Sequence, residues 1–107
     1  MKRALSIDDD QAAVLAEMFR LMGDASRLRI VALCLGKPRC VSEIAARARL
    51  SPSLVSHHLR LLRAARMLRA ERRGKQVFYV AADDHVRRVI ADMAAHIAEA
   101  PEPADFG

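Results

Sequence analysis

The chemically most informative part of the sequence is DDHVRRVIADMAAHIAE, residues 83–99, in which two histidines each have a carboxylate nearby. Asp83 precedes His85 by two residues, and Glu99 follows His96 by three, so the pattern is D-x-H-x10-H-x2-E. Imidazole nitrogens and carboxylate oxygens are ligands for zinc and related divalent metals. The pattern therefore predicts a metal site with two nitrogen and two oxygen donors.

The two histidines cannot bind one metal ion within a single chain. On a helix, their separation of eleven positions amounts to about three turns plus 20°, so His85 and His96 lie on one face. They are about 16 Å apart along the helix axis, whereas metal–ligand bonds measure about 2 Å. Two antiparallel copies of the helix would place His85 of one chain opposite His96 of the other. We therefore predict two identical sites shared between two chains, with ordinary solvated histidines as the alternative.

The remaining spacings are compatible with such a shared site. His96 and Glu99 are neighbours on one helical face, because side chains at i and i+3 lie close together. Asp83 and His85 would diverge inside a helix, but Asp83 is expected at the helix start, where the backbone need not be helical. An apolar seam suited to dimer packing runs beside these residues, namely Val86, Ile90, Met93 and Ile97.

Length and composition predict one mainly helical domain. The chain has 107 residues, 52% hydrophobic but only 4% aromatic, and its apolar content comes from Ala, Leu, Val and Ile, which favours helices over a β-sandwich. The longest apolar run, residues 30–35, is too short to cross a membrane, and the start of the chain, MKRALSIDDD, has no signal-peptide core. We therefore expect a cytoplasmic protein without a membrane partner.

Capping residues and periodicity predict an α+β fold that is mostly helical. The predicted helices cover residues 11–22, 25–36, 41–48, 52–65 and a last segment from about 83 or 84 to just before 101. β-branched and aromatic residues on either side of Arg73-Gly74 predict a β-hairpin. Residues 1–7 are expected to be flexible and residues 101–107 disordered, which leaves 8–100 as the folded domain.

The third and fourth helices and the hairpin together predict a winged helix-turn-helix. Seven of the 18 basic residues fall between Arg60 and Lys75, opposed only by Glu71, and such clustering is typical of a nucleic-acid binder. A solvated charged surface is the alternative. The candidate DNA-binding residues are Ser51, Ser53, Ser56, His57 and Arg60 on the fourth helix, with Arg72, Arg73 and Lys75 at the hairpin tip.

These features resemble the ArsR/SmtB family of winged-helix, metal-sensing transcriptional repressors over about residues 10–100. The segments that resemble the family as a whole are MGDASRLRIVALC, LSPSLVSHHLRLLRAARML and RRGKQVFYV. The D-x-H-x10-H-x2-E pattern resembles the C-terminal helix site of the zinc-sensing branch. The resemblance implies a homodimer with N- and C-terminal helices at the interface. It also implies an apo dimer that represses metal efflux or sequestration genes by binding operator DNA, and derepression by zinc, with cobalt or cadmium as alternative metals.

The cysteines depart from one form of that family pattern. Thiolate sensors of the family commonly carry a CVC pair, whereas RCVSE here keeps Cys40 and has Ser42 at the second position, so Cys40 and Glu43 are a candidate vestigial thiol site. Cys34 is expected in the core. The alternative function is a redox- or persulfide-responsive repressor that uses Cys34 and Cys40. The sequence contains no HExxH motif, nucleophile elbow or glycine-rich phosphate loop, so we expect neither an enzyme nor a small-molecule substrate.

Overall fold

The computed structural model describes residues 5–101, and the parts of the predicted flexible ends at residues 1–4 and 102–107 lie outside this range. The described helices are α1 (Asp9–Met22), α2 (Ala25–Gly36), α3 (Val41–Ala48), α4 (Pro52–Ala64) and α5 (Asp84–Ala98), and the strands are β1 (Leu68–Arg73) and β2 (Gln76–Ala81). This order confirms the predicted winged helix-turn-helix. No helix within the described range is long and apolar enough to cross a membrane.

Most helices begin at a side chain that accepts a hydrogen bond from a backbone N–H three residues later. These N-caps are Asp8 for α1, Asp24 for α2, Ser51 for α4 and Asp83 for α5. Such caps satisfy an N–H group that has no partner inside the helix, and each typically contributes about 1 kcal/mol. Helix α3 begins after Cys40, whose thiol makes no capping hydrogen bond. The predicted starts of α2, α4 and α5 are confirmed, whereas α1 begins at Asp9, two residues before its predicted start.

The core lies between α2, α3 and α4. Its largest fully buried side chains are Ile30, Val31, Cys34, Ile44, Val55, Leu59 and Leu62. Three of these residues, Val55, Leu59 and Leu62, form the inward-facing stripe of α4. Burial of one such aliphatic side chain contributes about 1.5–3 kcal/mol, so these contacts hold α4 firmly on the domain.

The wing is a twisted pair of antiparallel strands anchored to the loop before α3. Backbone hydrogen bonds join Arg39 to Tyr79 in both directions, at 3.1 and 2.8 Å, and fix the base of the hairpin. The hairpin turn consists of Gly74 and Lys75, because Arg73 still pairs with Gln76. The predicted turn at Arg73-Gly74 was therefore one residue early. Gly74 has a φ of 63°, a conformation that glycine adopts without steric cost.

Helix α5 lies on the surface, and none of its residues is buried. Val86 and Ile90 pack partly against the core of the same chain, and Arg87 donates a hydrogen bond to the Leu35 carbonyl at the end of α2. The predicted dimer seam was therefore partly wrong, since half of it faces the chain's own core. The other half of the seam, Met93 and Ile97, lies further along the same face and is 57% and 80% exposed.

A buried histidine joins α4 to the start of α2. His58 is only 7% exposed. It lies three residues after Val55 and four before Leu62, on the buried stripe. Burial lowers the pKa of His58, and the positive charges of Arg27 and His57 lower it further, whereas Asp24 acts in the opposite direction. The imidazole is therefore neutral at pH 7.

This environment predicts a loss of stability in mild acid. The unfolded chain binds a proton at His58 near pH 6.5, whereas the folded chain resists protonation, so the free energy of unfolding falls as the pH drops from about 6.5 through the lowered pKa. Urea unfolding at pH 7.5, 6.5 and 5.5 measures this dependence. His58→Gln, which cannot titrate, should flatten it. Identical pH slopes in both proteins would contradict the assignment of this effect to His58.

Candidate DNA-binding and metal-binding sites

Helix α4 presents a polar face opposite its buried stripe. The predicted DNA-binding residues of this helix, Ser51, Ser53, Ser56, His57 and Arg60, are all exposed. The Ser51 hydroxyl accepts a hydrogen bond from the Leu54 N–H at 3.1 Å, and its own hydrogen remains free to donate. The first turn of α4 contains no acidic residue. Small side chains and a positive helix N-terminus at one end allow close approach to a groove of DNA.

Arg73 is held against the wing by two contacts. Glu71 accepts hydrogen bonds from Arg73 at 3.1 Å and from Arg69 at 2.7 Å, and these bonds lower the pKa of its carboxyl. The Arg73 guanidinium also lies 5.3 Å from the centre of the Phe78 ring, within cation–π distance. Arg73 is thus positioned, and part of its charge is already neutralised by Glu71.

The remaining basic residues of the wing tip are less constrained. Arg72 donates through Nε to the Gly74 carbonyl at 3.3 Å. Lys75 occupies the turn itself, is exposed, and has no hydrogen bond or ion pair with residues 5–101. Of the three predicted wing-tip residues, Lys75 therefore carries the charge most available to a phosphate.

The four predicted metal ligands lie at the two ends of α5, and all are exposed. Asp83 is the N-cap, and its Oδ1 accepts the Val86 N–H at 3.0 Å, so only Oδ2 is free to bind a cation. The backbone of Asp83 is extended, as its predicted convergence with His85 requires. His96 is in the last turn. Within residues 5–101 of one chain, no three His, Cys, Asp or Glu side chains are close enough to hold a metal ion.

Glu99 lies just beyond the helix rather than on it. Helix α5 ends at Ala98, and Glu99 has an extended backbone with a ψ of 146°, while its N–H donates to the His96 carbonyl at 3.3 Å. The φ of Glu99, −75°, is still close to the helical value, and its ψ moves only the residues that follow it. The i, i+3 relation between the His96 and Glu99 side chains therefore stays a prediction.

An exposed apolar stripe connects the two ends of α5. Val89, Met93 and Ile97 are 51%, 57% and 80% exposed. At 100° per residue, all three lie within about 120° of His85, on the same side as His96. The stripe borders an open groove of about 940 Å³ between α1 and α5, where the exposed Leu15 and Phe19 also lie. Apolar surface of this extent marks an interaction site.

The two cysteines differ in environment. Cys34 is fully buried, and burial raises the pKa of its thiol to about 12, which opposes formation of the reactive thiolate at neutral pH. The Cys40 Sγ lies 3.2 Å from the Ser42 Oγ and 3.7 Å from the Glu43 Oε1. Glu43 also forms an ion pair with Arg39 at 3.4 Å, so its carboxylate is already engaged.

Comparisons with known proteins agree with this architecture. A family model described as bacterial regulatory protein, arsR family, matches residues 24–70. The chain is 40% identical over 90 residues to the "Transcriptional repressor SmtB homolog" of Synechocystis, which covers 84% of this chain and 68% of that protein. It is 32% identical over 82 residues to the "Cadmium resistance transcriptional regulatory protein CadC homolog" of Staphylococcus aureus. This match covers 76% of this chain and 68% of that protein.

The fold has a close structural counterpart. The solution structure of a homodimeric winged helix-turn-helix DNA-binding domain from Mycobacterium bovis superposes with a TM-score of 0.78 at 23% identity, covering 97% of this chain and 99% of that one. At this identity the likeness concerns the fold alone, and the sequence relatives define the family. The chain therefore belongs to the ArsR/SmtB family of winged-helix transcription regulators, which are DNA-binding proteins and not enzymes.

Proposed function

We propose that the protein is a metal-responsive transcriptional repressor of the cytoplasm. Its apo homodimer binds double-stranded operator DNA, and zinc binding between the subunits lowers DNA affinity and derepresses genes for metal efflux or sequestration. The observation that carries this proposal is the placement of His85 and His96 at opposite ends of one exposed apolar stripe on α5. The relatives support it through their names, a transcriptional repressor and a cadmium resistance regulator.

The apolar stripe is the reason to expect a second copy of this chain. Two α5 helices packed antiparallel cover Val89, Met93 and Ile97 of each chain, and apolar burial contributes about 25 cal/mol per Å². Leu15 and Phe19 of α1 extend the same surface, as an interface of N- and C-terminal helices requires. The similar domain from Mycobacterium bovis is homodimeric. A two-fold axis through such a pair generates two equivalent sites.

Each site then takes Asp83 and His85 from one chain and His96 and Glu99 from the other. This N2O2 set suits the tetrahedral coordination that zinc prefers, and cobalt or cadmium are the alternatives. The hydrogen bond from the Val86 N–H to Asp83 Oδ1 orients the carboxylate in advance. The Glu99 N–H donates to the His96 carbonyl at 3.3 Å, which keeps the two residues together at the end of α5.

A thiol-based repressor that uses Cys34 and Cys40 has less support. Burial keeps Cys34 protonated, and oxidation begins from the thiolate. Cys40 and Glu43 remain close to each other, but the Glu43 carboxylate is paired with Arg39. The vestigial thiol site therefore offers a metal fewer free donors than the ends of α5.

The DNA-facing residues divide into two roles in this proposal. Ser53, Ser56 and His57 on α4 face base edges in the major groove, whereas basic and hydroxyl groups bind the phosphate backbone. The proposed phosphate ligands are Ser51, Arg60, Arg72, Arg73 and Lys75. Phosphate contacts supply affinity for every sequence, and base contacts supply the choice among sequences.

The division predicts different outcomes for His57→Ala and Lys75→Ala. His57→Ala should reduce affinity for a duplex selected by the wild-type protein and leave affinity for mixed-sequence DNA nearly unchanged. Lys75→Ala should weaken both about equally and reduce the slope of log affinity against log salt by about 1. Fluorescence anisotropy at several salt concentrations measures both. If the two variants show the same profile on both duplexes, this assignment of roles is wrong.

The shared metal site predicts complementation between two defective chains. Homodimers of His85→Ala or of His96→Ala lack a ligand in both sites and should bind zinc weakly. In the mixed dimer, one site lacks both histidines, but the other takes His85 and His96 from the chains that retain them. The mixed dimer should therefore bind one zinc ion at wild-type affinity.

Purified mixed dimers carrying two different affinity tags allow this measurement by competition titration with a chromophoric chelator. Homodimers of the double mutant His85→Ala/His96→Ala provide the control, since they retain neither histidine. Sites formed within single chains cannot be restored by mixing, because every chain lacks one of the two histidines. Weak zinc binding by the mixed dimer would thus refute the shared site.

A further inference from the structure

Arg49, in the turn between α3 and α4, has an unusual backbone conformation. Its φ is 58° and its ψ is 45°, in the left-handed region that glycine enters freely and that other residues enter at a steric cost. Helices commonly end in this way, and the residue at that position is usually glycine. An arginine here is therefore unfavourable for the fold.

The turn itself is required by the packing on either side. The N–H groups of Arg49 and Leu50 both donate to the Ala45 carbonyl, which closes the end of α3. Leu50 packs against the core, and Ser51 then caps α4. The left-handed residue thus sets the direction in which the chain enters α4. Glycine at position 49 would form the same turn without the steric cost.

The Arg49 side chain contributes nothing that offsets this cost within the protein. It is exposed, and it forms no hydrogen bond or ion pair with residues 5–101. It lies two residues before the cap of α4, and the N-terminal end of this helix is the end that enters the major groove in helix-turn-helix proteins. The turn before that end therefore faces the sugar-phosphate backbone. A guanidinium is well suited to bind a phosphate there through two parallel N–H bonds.

We propose that Arg49 is a phosphate-binding residue of the DNA interface, because it is exposed, has no partner within residues 5–101 and lies two residues before the cap of α4. The inference rests on the proposed DNA-binding function. Arg66 provides an internal comparison, because it also has a positive φ, of 59°, and is exposed, but it follows the far end of α4. The 13 residues of α4 place that end about 20 Å from the Arg49 end.

The test is a comparison of thermal stability and DNA affinity in Arg49→Gly, Arg49→Lys and Arg66→Gly. Arg49→Gly should raise the melting temperature by about 3 °C through loss of the steric cost. It should also weaken binding to wild-type-selected and mixed-sequence duplexes alike, by roughly tenfold, with a salt slope lower by about 0.9. Arg49→Lys retains charge and strain and should keep the wild-type melting temperature and salt slope.

Arg66→Gly separates the backbone effect from the contact, since it should raise the melting temperature as well but leave DNA affinity unchanged. Wild-type affinity and salt slope in Arg49→Gly would overturn the inference while leaving the proposed function intact. Equal affinity losses in Arg49→Gly and Arg66→Gly would also overturn it, because the effect would then not depend on position. A wild-type protein that binds neither duplex would overturn the proposed function and this inference together.

Discussion

The exposed apolar stripe of α5 is the constraint on which the rest of the account depends. A helix of 15 residues that buries none of them in its own chain keeps Val89, Met93 and Ile97 in water. Hydrophobic surface of this kind is costly unless another surface covers it. In the proposed dimer, two antiparallel copies of α5 cover the stripe and, by the same symmetry, bring together His85 and His96 from different chains. One packing arrangement thus accounts for both the apolar residues and the metal ligands.

The position of α5 also explains how its pairing can affect DNA binding. The helix packs against strand β2 of the wing, and Arg87 bonds to the Leu35 carbonyl at the end of α2. A change in the angle between two paired α5 helices therefore moves the wing and α4 of each subunit relative to those of its partner. Regulation requires metal to favour one arrangement over the other, with a coupling free energy of typically 1–3 kcal/mol. Operator spacing is sensitive to such movements, because the two recognition helices must meet successive major grooves.

Local signals in the sequence predicted most of the fold. Asp8, Asp24, Ser51 and Asp83 mark helix starts because an N-cap depends only on its next three residues. Features that depend on tertiary packing were predicted less well. The burial of His58 was not predicted because it depends on α2, and the seam on α5 was partly misassigned because Val86 and Ile90 pack on the core.

The features of the candidate site that the sequence did not predict have similar causes. The end of α5 at Ala98 left Glu99 outside the helix, and no capping signal in the sequence fixed that boundary. Arg49 was not among the DNA-binding candidates from the sequence, since its left-handed backbone is visible only in the structure. The spacing of His85 and His96, by contrast, was sufficient to predict that they lie at opposite ends of one helix, because helix geometry is nearly invariant.

The affinity of the wild-type protein for a selected operator duplex, with and without saturating zinc at pH 7 and constant salt, tests the central claim most directly. The account predicts that zinc weakens binding by about 100-fold, which corresponds to a coupling of about 3 kcal/mol. His96→Ala should bind the same duplex as tightly as the apo wild type and should not respond to zinc. An operator affinity of the wild type that is unchanged by zinc would contradict the account.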